Sequence, residues 1–189
     1  ALMTRRAIDM LQDMDERYLE GYTATLPLAQ ENELENIVGP WKRAMRPQIE
    51  NPREIIEMAK SLKVAIMVVG DPMQATTHVD LLLRARENGV QVTIVPGISA
   101  TTLAISSSGL QSYRFGRQVT LPYAYGDYLP TSPLRYILDN RLRNLHTLVL
   151  LDLDPTGLGI ESPIHMSPSV AGQILMQMAE KWSEENEDV

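Results

Sequence analysis

The residues best suited to chemistry lie in one short stretch, Gly70-Asp71-Pro72-Met73-Gln74, with His78 just beyond it. Asp71 could accept from ligand hydroxyl or amino groups. It could equally close its own turn as an Asx-turn, which needs no ligand. His78 is a candidate general base, because its free pKa lies near neutrality. In the first turn of a helix, however, local bonding is the simpler role, and no catalytic base is nominated. His146 and His165 are too distant in sequence to suggest a metal site with His78, and there is no cysteine. No metal is expected, and disulfides are excluded.

Residues 64–69 (VAIMVV) form a continuous apolar run, read as a parallel strand buried on both faces. Gly70-Asp71-Pro72 stops it. Thr76 or Thr77 then caps a helix with Val79, Leu82 and Leu83 at helical spacing, and Gly89 ends it. A strand, turn and helix in this order place ligands at the carboxyl end of a parallel strand. Residues 70–74 are therefore expected to line a pocket.

Before this unit, Thr4 caps an amphipathic helix carrying Ala7, Met10, Leu11 and Met14. Residues 15–23 are ambiguous: Tyr18, Leu19 and Tyr22 suit a short strand, but Glu16 and Arg17 do not suit a buried one. Residues 26–33 read as a loop and 32–38 as a short helix stopped by Gly39-Pro40. Asn51-Pro52 reads as an N-cap and first-turn proline, with Glu54 placed for a capping box. After Gly89, residues 90–95 (VQVTIV) read as a second strand, and Ser99 opens a small-residue helix closed by Gly109. The pattern then restarts. A strand at 118–121 leads through a loop holding Tyr123, Tyr125 and Tyr128 to a helix opened by Ser132-Pro133. A strand at 147–153 and a Gly/Pro loop at 155–163 follow. Ser167-Pro168 opens a last helix with Val170, Ala171, Ile174, Leu175 and Met178 on one face, and the acidic end, 184–189, is expected to fray. This alternation argues an α/β fold with mostly parallel sheet. Two lobes are expected, residues 1–112 and 113–189.

The chain has 189 residues, 44% of them hydrophobic, enough for a sizeable core. Its net charge of −7, without a basic run, argues against nucleic acid as the main partner. No segment is long and apolar enough to span a membrane, and the lack of cysteine fits a cytoplasmic protein.

Three blocks, GDPMQATTHVDLLLRA (70–85), GLQSYRFG (109–116) and HTLVLLD (146–152), together resemble the diphthine synthase family. That resemblance implies the two-lobed fold of the tetrapyrrole methylases, with S-adenosylmethionine as cofactor and S-adenosylhomocysteine as product. It also implies methylation of a 3-amino-3-carboxypropyl-histidine of elongation factor 2 to give diphthine, and a homodimer. The Gly-Asp-Pro turn is shared across the wider fold class, whereas the ATTH and YRFG blocks look particular to this family. The cofactor contacts it implies are Asp71 and Gln74, Ser99 and Ala100, and Leu151. A one-residue offset would move the middle pair to Ala100 and Thr101. Family members open with a strand and a glycine-rich turn and continue past this C-terminus, so the chain is expected to be incomplete at both ends. Two other readings remain: a tetrapyrrole methylase of the same fold, and a non-catalytic binding domain.

Overall fold

The computed structural model describes residues 2–74, 78–124, 126 and 128–186. The chain divides into two compact units, Ala1–Ala100 with Leu158–Pro163, and Thr101–Gly157 with Ile164–Val189.

In the first unit a three-stranded parallel sheet has the order β2-β1-β3, with β1 at Glu16–Glu20, β2 at Lys42–Ala44 and β3 at Val64–Met67. The ambiguous segment is thus the central strand. Its charged residues find partners rather than solvent. Arg17 Nε donates to the Leu11 carbonyl at 2.7 Å, and Lys42 Nζ pairs with Glu16 at 2.7 Å. Successive residues of a strand point to opposite faces, and Leu19 and Tyr18 enter two different cores. Leu19 packs with Leu11, Leu34, Val38 and Met67; Tyr18 packs with Tyr22, Ala44, Ile49 and Ile55. The first core takes its helical side from α1 (Arg5–Gln12) and α2 (Leu28–Val38). The second takes it from α3 (Arg46–Glu50) and α4 (Arg53–Ala59).

Thr4 caps α1 as expected, its hydroxyl accepting from Ala7 N at 3.2 Å. Four expectations for this unit are corrected. The helix before Gly39 starts at Leu28 rather than at residue 32: Leu-Ala-Gln-Glu propagates a helix well, and Pro27 O accepts from Gln30 N and Glu31 N. Asn51 does not cap α4. It ends α3, and α4 starts after Pro52 with no side-chain cap. The run at 64–69 pairs only over Val64–Met67 and lies at the edge of the sheet among the described residues, so Val64, Ala65 and Ile66 are half-buried instead of enclosed on both faces. Residues 90–95 are not a strand: burial alternates along them, but no ladder bonds join them to the sheet among the described residues. The helix after the central turn is α5, His78–Glu87, and Gly89 takes φ +76° where it ends. The Thr76/Thr77 cap lies outside the described residues.

The second unit pairs β4 (Val119–Leu121) in parallel with β5 (Val149–Leu151), both shorter than the sequence suggests. Leu121 and Met178 are fully buried there, with Met166, Ala171 and Ile174. α8 (Pro168–Asn186) supplies three of these five, on the face the sequence marks. Ser167 Oγ accepts from Val170 N at 3.3 Å at its start. Residues 184–186 of the acidic end continue α8 instead of fraying, and residues 187–189 lie outside the described residues. α6 (Ala100–Ser107) follows Ser99 and buries only Thr101. α7 (Ser132–Leu142) has Thr131 as N-cap, one residue before the expected Ser132, with Pro133 in the first turn. Asn140 of α7 is buried and clamps the unit: its Oδ1 accepts from Arg117 N at 3.0 Å, and its Nδ2 donates to Arg117 O at 2.8 Å and Thr147 Oγ1 at 2.9 Å.

Candidate functional site

The turn after β3 is held from within and from the side. Gly70 takes φ +109°, a region that favours glycine. Asp71 Oδ1 accepts from Met73 N at 2.9 Å, closing an Asx-turn, and Oδ2 accepts from Gly97 N at 3.0 Å. One carboxylate therefore ties the β3 turn to the turn at 96–99. The two backbones touch: a Cβ on Gly97 would stand 1.9 Å from Gly70 O, and one on Gly70 would be 3.8 Å from Ser99 Cα. Ser99 is half-buried, and Ala100, the first residue of α6, is exposed. Gln74 is exposed, its backbone N donating to Asp71 O at 3.3 Å. The fold thus brings Asp71, Gln74, Ser99 and Ala100 to neighbouring turns of the first unit. Leu151 is half-buried at the carboxyl end of β5, in the second unit. Each oxygen of Asp71 keeps acceptor capacity beyond its backbone bond, so the cluster fits a ligand with hydroxyl or amino donors.

His78 is 5% exposed and donates to the Pro72 carbonyl, as local bonding requires. Burial pushes its imidazole below the ordinary value, against an opposing pull from the Glu20 carboxylate. The neutral ring serves as a brace beneath the Asp71 turn. Sequence reasoning missed Glu20. It is 1% exposed at the carboxyl end of the central strand, and its Oε1 accepts from Tyr22 N and Thr23 N, both at 2.7 Å. Its other oxygen accepts from the Thr23 hydroxyl. A buried carboxylate persists only where such donors surround it. The available signal was a charged residue closing an apolar strand just before Gly-Tyr-Thr. Glu20, at the end of β1, lies within electrostatic reach of His78.

Beside the β1 turn, a cavity of about 470 Å³ is lined by Thr25, Leu26, Glu31, Arg43, Met45, Ile160, Ser162 and Pro163, all in the first unit. Arg43 Nη2 donates to both carboxylate oxygens of Glu31, at 2.7 and 2.8 Å. Of the tyrosines, Tyr113 and Tyr128 are exposed. Tyr123 packs in the second core, its hydroxyl donating to Ile164 O at 3.2 Å, and Tyr125 lies outside the described residues. Among the described residues, no His, Cys, Asp and Glu group could hold a metal ion, and no helix is long and apolar enough to cross a membrane.

The family profile of the tetrapyrrole (corrin/porphyrin) methylases matches residues 1–189. The chain belongs to this family. Within it, the chain is 39% identical over 190 residues to the diphthine synthase of Staphylothermus marinus, covering 97% of this chain and 68% of that relative. It is 38% identical over 153 residues to the diphthine synthase of Methanoregula boonei, covering 80% of this chain and 61% of the relative. A crystal structure of diphthine synthase superimposes with a TM-score of 0.81 at 32% identity, over 95% of this chain and 67% of that one. The chain thus spans about three fifths of the Methanoregula relative's length. The expected fold class is the family's, a mixed α/β arrangement with parallel sheets.

Proposed function

We propose that this chain is the core of an S-adenosylmethionine-dependent methyltransferase. Its substrate is the 3-amino-3-carboxypropyl group on a histidine of elongation factor 2, and its product is diphthine. The observation that carries this reading is 39% identity to a diphthine synthase across 97% of the chain. A homodimer and a cytoplasmic location belong to the same reading.

The residues proposed to hold the cofactor are Asp71, Gln74, Ser99 and Ala100 of the first unit and Leu151 of the second. When bound, S-adenosylmethionine supplies an electrophilic methyl group on a sulfonium. Asp71, fixed by two backbone N–H donors, offers its remaining lone pairs to hydroxyl or ammonium donors. The exposed Gln74 amide can both donate and accept. Ala100 and Leu151 add apolar side chains to that set. The chain's contribution is mainly alignment, which can supply several kcal/mol, ~7 or more in well-oriented reactions. No side chain is assigned as base, and water can take the amine's proton.

The test is to incubate the full-length protein with S-adenosylmethionine and elongation factor 2 carrying the unmethylated precursor, and to read the modified peptide by mass spectrometry. Whole methyl additions confined to that histidine are expected. Cofactor binding without addition would redirect the reading to a tetrapyrrole substrate. Neither binding nor addition would leave a non-catalytic domain.

A further inference from the structure

The chain is acidic overall, but between residues 114 and 143 it carries five arginines against two aspartates. Arg114, Arg117, Arg135, Arg141 and Arg143 are all exposed, and none is in an ion pair among the described residues. They lie along α7 or beside it. Arg117 and Arg135 flank the Tyr136 ring, their guanidinium carbons 3.6 and 5.2 Å from its centroid. Arg114 donates to Asn144 O at 3.1 Å, just past the helix, while Arg141 and Arg143 occupy its end. Asp139 is the one acid described among them.

The helix dipole favours cations at a C-terminus, which accounts for Arg141 and Arg143. It does not account for Arg114, Arg117 or Arg135, which come from other parts of the chain or from earlier in the helix. Leu138 and Leu142, 40% and 85% exposed, share the outer face of α7 with Arg135 at spacings of three and four residues. Apolar side chains bordered by Arg135 and Arg141 match the anatomy of a protein interface. Stacking on Tyr136 holds Arg117 flat and leaves guanidinium edges for carboxylates. A phosphate backbone would have no use for the leucines.

We propose that this arginine-bordered leucine pair on α7 is a docking surface for an acidic segment of the protein substrate, with one or two apolar side chains seated on Leu138 and Leu142. This rests on the reading above that the substrate is a protein.

The test compares the full-length protein with Arg135→Glu/Arg141→Glu, and separately with Leu142→Asp, each checked for folding by circular dichroism. Steady-state methylation of elongation factor 2 carrying the precursor is measured at about 50 and about 300 mM salt. Affinity for S-adenosylhomocysteine is measured by calorimetry. Both variants are expected to raise KM about tenfold or more with kcat and cofactor affinity unchanged, and salt is expected to raise the wild-type KM but not that of the arginine variant. An unchanged KM in both variants would overturn the surface while leaving the methyltransferase reading intact. If the wild type transfers no methyl group, that reading fails. The surface is then judged by biosensor binding to the same factor: salt-sensitive binding lost in both variants supports it, and no binding overturns it. Variants that lose affinity for a duplex RNA, or that dissociate a dimer in sedimentation, would assign the patch to RNA or to a second copy and overturn the proposal.

Discussion

Removing the Glu20 carboxylate should destabilise the first unit more than its single position suggests. In Glu20→Ala, the N–H groups of Tyr22 and Thr23 lose an acceptor held at 2.7 Å; the Tyr22 bond is buried and the Thr23 bond partly so. A buried donor left without a partner costs ~1–3 kcal/mol. With partial relaxation of the turn and a small cavity, the expected loss is about 3–5 kcal/mol. Glu20→Gln keeps an oxygen for both N–H groups, and the Thr23 hydroxyl can turn to accept from the new amide. Only the charge assistance goes, so the expected loss is about 1–2 kcal/mol. The chain has two tryptophans, Trp41 and Trp182. Trp41 packs against the Leu11–Leu19 core of the first unit. Urea unfolding followed by Trp41 fluorescence in a Trp182→Phe background therefore reads this unit alone. A loss below about 1 kcal/mol in Glu20→Ala, or equal losses in the two variants, would refute the claim that the carboxylate organises the turn.

Gly97→Ala places a methyl against Gly70 O and pulls Gly97 N off Asp71. Stability should fall by about 1–3 kcal/mol and affinity for S-adenosylhomocysteine about tenfold; calorimetry showing unchanged affinity would separate this turn from cofactor binding. His78→Gln tests the brace through pH. The imidazole pKa is lowered in the fold, so the unfolded chain takes up its proton first. The stability this contributes is whole above the ordinary value of 6.5 and is lost as pH falls from there through the lowered folded value. Melting temperature should therefore drop with acidification more steeply in the wild type than in His78→Gln, and parallel curves would contradict the burial effect. Asn140→Asp turns a donor to Arg117 O into a carboxylate oxygen. It should cost the second unit about 2–3 kcal/mol, seen as a lowered thermal midpoint by circular dichroism, and a change under ~0.5 kcal/mol would mean that the clamp is redundant.

The sequence by itself determined the elements whose cause is local. Thr4 and Ser167 cap helices because a hydroxyl at that position meets orphan N–H groups within its own turn. Gly70 and Gly89 break the chain where φ is positive. The apolar face of α8 is set by helical period alone, and the Gly-Asp-Pro turn with its flanking blocks marks the family. Only the tertiary structure decided what depends on distant partners. Glu16–Glu20 becomes the central strand because the Leu11 carbonyl, Lys42 and the donors of the next turn absorb its charges. Residues 90–95 match a strand in composition yet form no ladder, because a strand needs a neighbour's backbone and composition cannot supply one. Asp71 is tied to Gly97 and Arg117 is stacked on Tyr136 by contacts that join residues far apart in the chain. Such contacts leave no periodic mark in a sequence, because their geometry exists only once the intervening chain has folded.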